Sequence, residues 1–456
     1  PPPTPTPENL RRQRQMCIRD SPTIASILLS YGLLLLANGL FATLLGVRTQ
    51  VEGFSPNLVG FIVAAYFSGL LLGGLFAARV VTRVGHIRSF AAFASLMSAS
   101  ALLHPIFVDG YAWMGFRLVA GFCMAGMIMV TESWLNETAT NNTRGKILSI
   151  YMITNYFAAG CGNFLLTVGD PSDFLLFSLA SIIFSLALVP VLLTRAKAPV
   201  PVHAERMHVW ELYRIAPLGV VGVFCCGLVN ASINGLGSVF ATNIGFSQQE
   251  LATFMAVMIM SGLLLQWPVG LLSDRIGRGP LLVYIPLVVA LAAIWQLYVG
   301  GFLLVLAGAG FLGAFVFTLY SLSAATANDM VTSAQRVQVA GALLITYGAG
   351  AVSGPIIAGQ FMGLLGPQGL FYYIALIELV LCSFAILMRR RRAGSPSKRK
   401  PFVVVPSAQA TSNQLYVAAH REKPEHVADS ADGDDVQWLN PSQDAVSYTH
   451  LRAHET

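Results

Sequence analysis

Charged side chains are rare inside the long apolar stretches of this 456-residue chain, and each one found there needs a partner or a purpose. An ionisable group at the centre of a membrane helix costs roughly 2.5–3.5 kcal/mol on insertion scales. Arg117 is the first such group. A guanidinium there can bind an anionic solute group, or tune a carboxylate that carries a proton. The structural alternative is a fixed ion pair or a carbonyl clamp. Gly121 and Met124 follow at spacings of four and seven, on nearly the same helical face. Glu132 lies fifteen residues beyond Arg117, about 22 Å along a helix axis, too far to pair with it. It falls instead within reach of Arg83 and Arg144, as a gate salt bridge or as a proton site. Glu378 interrupts the last apolar stretch, either protonated or paired inward. His104, just before Pro105, reads as an interfacial histidine.

Uncharged polar residues are quieter candidates for a solute or proton path: Asn38, Asn230, Tyr156, Asn163 and Tyr347. Tyr156 and Asn163 are seven apart, hence on one helical face. Each of the five can instead satisfy a neighbouring backbone group, as polar residues commonly do between membrane helices. Other chemistry is missing. There is no phosphate-cradling loop ending in Lys-Ser/Thr, no paired metal ligands, and no nucleophile with a base. The sequence therefore predicts no enzyme, no cofactor, no metal and no ATP-binding domain. Cys123, Cys161, Cys225, Cys226 and Cys382 all sit within apolar stretches without metal-ligand spacing and read as small packing residues.

These residues are positioned by helices that live in lipid. Apolar residues make up 55% of the chain and charged ones 11%, against roughly a quarter charged in soluble domains. A bilayer core about 30 Å thick needs about 20 apolar residues per helical crossing. Twelve such stretches are predicted, at 24–46, 58–81, 89–108, 111–134, 147–168, 173–194, 216–240, 250–273, 280–299, 301–326, 338–363 and 368–388. The net charge of +6 does not point to nucleic acid, because the basic residues sit in short loops and at the tail. Arg79, Arg83, Arg88, Arg144, Lys146, Arg195, Arg275, Arg278, Arg336 and Arg389–Arg392 all fall on one side, with only Arg48 opposite. The positive-inside bias then puts both ends in the cytoplasm. Tyr111, Trp113, Tyr298, Tyr372 and Tyr373 fall near the outer helix ends, as an interfacial belt requires.

The two extremities read differently. Met16–Asp20 back-translates to ATG TGT ATA AGA GAC, whose reverse complement encodes Val446–His450. Both ends are similar to the adapters used to build sequencing libraries, so 1–21 and 446–456 are set aside. Between them lie a six-helix half at 22–194, a central cytoplasmic loop at 195–215, a second six-helix half at 216–390, and a polar tail at 391–445 expected to be disordered.

The two halves repeat one another. Gly53-Phe54-Ser55 recurs at Gly245-Phe246-Ser247, Arg83-Val84-Gly85 at Arg275-Ile276-Gly277, and Ile153-Thr154 at Ile345-Thr346, each with an offset of 192. Asn38 and Asn230, and Arg144 and Arg336, share that offset; Ser68–Leu72 recurs with an offset of 193. Six stretches repeated in the same orientation are parallel repeats about an axis along the membrane normal, with a solute site near the midplane between them.

Gly270-Leu271-Leu272-Ser273-Asp274-Arg275-Ile276-Gly277-Arg278 resembles the loop signature of the major facilitator superfamily, and Arg117-x-x-x-Gly121 resembles its second signature. The N-terminal copy of the loop is degenerate, with Ala78, Thr82 and His86 at signature positions. Val130–Asn136, Arg144-Gly145-Lys146 and Gln266-Trp267-Pro268 resemble the YcaD branch. The resemblance covers residues 24 to 390. It implies an all-α fold of twelve transmembrane helices in the bacterial inner membrane, and it places Arg117 at a central cavity. The implied function is secondary transport of a small solute by alternating access, with protons as the coupling partner and the chain acting as a monomer. A facilitative uniporter and a transport-silent sensor or scaffold are the competing functions. In the resembling loop, Asp274, Arg275 and Arg278 form a gating latch, since an Asp at a helix end can pair with Arg or with a neighbouring helix dipole; plain topology-setting charge is the alternative. Gly348, Gly350 and Gly354-Pro355 suggest close packing and bending of the eleventh stretch. The fifth has Gly160 and Gly162 but Asn163 where Pro355 stands, an incomplete antiporter signature that weakens any case for export.

Overall fold

In lipid every backbone N–H and C=O must be satisfied within the chain, and long apolar runs do so as helices. The computed structural model describes residues 7–139, 143–193, 207–332 and 335–391, with side chains from Ile24 onward except at positions 144, 337 and 391. The tail, the second adapter-like segment, most of the central loop and the side chain of Arg144 thus lie outside the described residues. The first group of helices is α1 (Pro7–Val51), α2 (Pro56–Val84), α3 (His86–Ile106), α4 (Gly110–Thr138), α5 (Arg144–Phe164), α6 (Leu175–Leu186) and α7 (Leu188–Leu192). A short α8 (Val209–Ile215) precedes α9 (Pro217–Asn243), α10 (Gln248–Ser261), α11 (Gln266–Ile276) and α12 (Arg278–Tyr298). The last four are α13 (Phe302–Val316), α14 (Thr318–Asp329), α15 (Arg336–Leu365) and α16 (Gly369–Arg391). The backbone of α1 starts within the first adapter-like segment.

Among the described residues, eleven helical segments are long and apolar enough to cross a membrane, counting α6–α7, α10–α11 and α13–α14 as one each. The twelfth stretch, α5, does not qualify. Thr154, Asn155, Tyr156 and Asn163 interrupt its apolar sequence, and three of those four side chains turn out to face a cavity.

Turn chemistry recurs where the sequence repeats. Ser55 caps α2 by accepting from the amide of Leu58, and Ser247 forms a full capping box with Glu250 at the start of α10. Gly85 and Gly277, between α2 and α3 and between α11 and α12, have φ of 94° and 92°. Side-chain-bearing residues rarely adopt that conformation. The two groups of helices meet chiefly where α1 packs on α9, α2 on α15 and α5 on α10, with a smaller contact of α2 with α9.

Three of the long segments are broken, the first where α6 gives way to α7 at Ala187. α10 ends at Ser261 and α11 restarts at Gln266, while α13 gives way to α14 at Phe317. A break frees backbone carbonyls, which is tolerated at membrane depth only inside protein or along a cavity. Here the buried side chain of Gln266 supplies the donor, its Nε2 reaching the Phe317 carbonyl at 3.1 Å.

The aromatic belt differs from expectation. Tyr111, Tyr298 and Tyr372 are exposed, but Trp113 and Tyr373 are fully buried. Trp113 turns inward because its indole N–H has carbonyls to satisfy there, those of His104 (3.0 Å) and Phe107 (2.9 Å). His104 is likewise enclosed rather than interfacial. Its Nδ1 pairs with the Ser100 carbonyl at 2.7 Å, and its ring packs edge-on against Phe41.

Candidate functional site

The site begins with a close approach of two helices. Gly121 lies against the backbone of Tyr66, so closely that a Cβ at position 121 would collide with the Tyr66 carbonyl. The missing side chain lets α4 press onto α2. One turn away, the Arg117 guanidinium is thereby laid over the Tyr66 ring, 4.0 Å from its centroid, with the Phe41 ring 5.7 Å away. Such stacking holds a buried cation by the negative face of the ring. Arg117 is 5% exposed, and its Nη1 is buried with no hydrogen-bond partner among the described residues.

Arg117 borders a cavity of about 100 Å³. Most of the wall comes from α1, α2, α4 and α5; Asn234, Met255, Ile259 and Phe317 close it from the other group of helices. Asn38, Tyr156 and Asn163 of the sequence candidates line it with Arg117. The Tyr66 hydroxyl donates to Asn38 Oδ1 at 3.2 Å. Asn163 is fully engaged: its Nδ2 donates to the carbonyls of Ala159 (2.9 Å) and Gly160 (3.2 Å), and its Oδ1 accepts from Thr43. Tyr156 accepts from Gln266 Nε2 at 3.1 Å, a hydrogen bond that joins the two groups of helices.

Asn230 and Tyr347 do not line the cavity. Gly227 and Gly350 let α9 and α15 approach backbone to backbone; Asn230 and Tyr347 are buried, the Tyr347 ring edge-on against Tyr320 of α14. The Asn230 amide and the Tyr347 hydroxyl have no hydrogen-bond partner among the described residues. Asn234, one turn along α9, reaches the cavity instead, its Nδ2 donating to the Asn230 carbonyl at 2.8 Å.

A line of polar groups leaves the cavity at Asn155. Its Nδ2 donates to the Tyr31 hydroxyl at 2.6 Å, Tyr31 stacks on Tyr151 with centroids 4.6 Å apart, and the Tyr151 hydroxyl donates to Glu132 Oε1 at 2.6 Å. All four side chains are buried. Glu132 therefore meets Tyr151. Arg83 is exposed and, among the described residues, makes no ion pair with Glu132, which corrects the expected contact. Asn155, Tyr31 and Tyr151 went unnoticed in the sequence because a lone Asn and two tyrosines far apart in the chain carry no spacing signal.

The loop signature divides. Asp274 and Arg275 are exposed. Arg278 is buried, its Nη1 2.6 Å from Asp329 Oδ2 and also donating to the Ala325 carbonyl. It thus holds the C-terminal end of α14, where a cation is favoured by the helix dipole and by the free carbonyls. This tie lies within one group of helices. Glu378 is fully buried in α16, and neither carboxylate oxygen has a partner among the described residues. At the end of the bundle beyond the cavity, Gln248 of α10 donates to the carbonyls of Gly169 (2.6 Å) and Leu166. Arg48 pairs with Glu52 at 2.6 Å and donates to the carbonyls of Pro171 (3.2 Å) and Ser172. In that loop the Ser172 hydroxyl and amide donate to Asp170 and hold its carboxyl below the usual range.

A helical bundle with many membrane spans, and a largely apolar cavity with a few buried polar groups between two groups of helices, is the architecture of a multi-pass membrane transporter. The sequence profile described as Major Facilitator Superfamily matches residues 27–295 and 219–422. An uncharacterized MFS-type transporter of Enterobacter sp. (strain 638) is 31% identical over 378 residues, which cover 81% of this chain and 96% of that protein. The uncharacterized MFS-type transporter YcaD of Salmonella newport (strain SL254) is 30% identical over 377 residues, again 81% and 96%. The chain belongs to the major facilitator superfamily, and it is a transporter rather than an enzyme. Among solved structures it is similar to the nucleoside transporter NupG, with a TM-score of 0.69 and 14% identity over 80% of this chain and 98% of that one. A D-xylose-proton symporter aligns with a TM-score of 0.58 and 16% identity, covering 81% and 96%. At such identities the likeness establishes the fold alone.

Proposed function

We propose that the chain is a secondary transporter that carries a small solute across the bacterial inner membrane by alternating access, driven by a proton gradient. The observation that carries this reading is the cavity between the two groups of helices, with the buried Arg117 on its wall. Rocking of the halves would expose it to either side in turn. The helix pairs α1–α9, α2–α15 and α5–α10 are the surfaces that would slide.

This reading counts α5 as the twelfth crossing. It arranges the helices as two parallel six-helix repeats, 22–194 and 216–390, with both termini cytoplasmic. The matching conformations of Gly85 and Gly277, and the matching caps at Ser55 and Ser247, support the repeat. One chain supplies the whole cavity, so a monomer suffices. Proton coupling is supported by the polar line from Asn155 to Glu132, which links the cavity wall to a buried carboxylate. Gating falls to Glu132 with Arg144, and to the loop of Asp274, Arg275 and Arg278, with Arg278 anchored on Asp329.

Flux measured with purified protein in liposomes, with and without a pH gradient, tests the proposal. Solute accumulation that follows the gradient supports it. Flux indifferent to the gradient leaves a uniporter, and no flux across a broad solute panel favours a membrane sensor instead.

A further inference from the structure

The cavity wall is unbalanced in charge. Among the described residues, Arg117 is its only charged side chain, and no Asp or Glu lines it. The nearby polar groups are already committed to one another. Asn163 is satisfied by Thr43 and two carbonyls, Tyr156 accepts from Gln266, and Asn155 donates to Tyr31. Arg117 has rings rather than acceptors around it, and Nη1 has no hydrogen-bond partner among the described residues. A buried cation without a counter-charge is costly, and the cost is recovered when an anion reaches it. Rings over the guanidinium leave its N–H edge for an incoming acceptor, the geometry that suits a planar carboxylate. The rest of the wall is apolar, with Phe67, Met124, Ile128, Met255 and Ile259 among its residues, which suits a carbon body better than a hydrated inorganic ion.

We propose that this cavity takes a small organic monoanion, its carboxylate docked on Arg117 and its apolar body against the methionines and branched side chains. The proposal rests on the transporter reading of the same cavity and narrows it to a substrate class. A proton moving with such a solute would cancel its charge, so that the membrane potential would not oppose uptake.

The test compares isosteric probes on the full chain in detergent micelles or nanodiscs. Benzoate and benzamide differ in charge but hardly in shape, as do butyrate and butyramide; benzylamine and sodium chloride complete the set. Binding is read by isothermal titration and by the shift in melting temperature. The expected result is that the carboxylates bind at least about tenfold more tightly than their amides, with benzylamine not binding. Arg117→Gln removes that preference, and Arg117→Lys restores it in part, because the charge returns without the fork. Should Arg117→Gln not fold, the carboxylate–amide comparison on the native chain decides alone. Amides binding as well as acids overturns the proposal while leaving the transporter reading intact. Chloride competing with benzoate at equal concentration marks a counter-ion site and overturns it too. An absence of carboxylate binding also overturns it, whatever the liposome panel shows for neutral solutes.

Discussion

At the scale of single residues, Arg117 is the clearest case of a position legible from type and spacing. An arginine inside an apolar stretch, four residues before a glycine, announces a buried charge, and the structure puts it on a cavity wall. Replacing it with alanine should lower solute affinity and flux at least about tenfold, read in liposomes against an unchanged elution profile. Tyr151 is the opposite case, invisible until its hydroxyl is seen on Glu132. Tyr151→Phe should abolish gradient-driven accumulation while solute exchange between equilibrated compartments continues; intact accumulation would remove the polar line from the coupling mechanism. Gln266 carries a structural burden instead. Gln266→Leu strips the donor from the Phe317 carbonyl and from Tyr156, and should cost about 1–3 kcal/mol in a detergent denaturation curve.

Helices were easier to foresee than their breaks. Apolar length marked α2, α3, α4 and α12 almost to their ends, because lipid leaves an apolar run no alternative to a helix; α1 runs well beyond the stretch expected for it. The breaks at 262–265 and at Phe317 had no comparable signal: the first is held by tight local backbone turns, and the second by a side chain from a different segment. Close packing gives the sharpest element-scale expectations. Gly121→Val should force α4 away from α2, with a loss of about 1–3 kcal/mol and displacement of Arg117 from Tyr66, so thermal stability and solute affinity should fall together. Gly277→Ala tests backbone conformation instead. At φ 92° and ψ 160° the new methyl is strained by about 1–3 kcal/mol, and melting temperature should drop with solute affinity unchanged.

For the molecule as a whole, the prediction concerns the movement of one group of helices against the other. Gln248 and Gly169 lie on opposite groups, joined by a hydrogen bond of 2.6 Å. Cysteines at these two positions, in a background without the native ones, should cross-link under oxidation, stop transport, and release it on reduction. Full transport by the cross-linked protein would exclude rocking at that end of the bundle. The same packing explains why the sequence misjudged Asn230 and Tyr347. Equivalence with Asn38 suggested a place on the path, but both side chains are buried away from the cavity, Tyr347 against Tyr320 of α14.

What the sequence by itself determined is the set of properties that each segment carries alone: an all-helical membrane protein, the approximate extent of its helices, the turn glycines and serine caps, and the presence of buried charge. Hydrophobic length and local turn chemistry act within a few residues and need no partner. Which face of each helix meets a neighbour was decided only by the tertiary structure. That choice put Asn234 on the cavity in place of Asn230, sent Arg278 to Asp329, and closed Trp113 and His104 inside. Polar groups in a medium without water must find one another across helices, and those pairings exist only once the helices are packed together.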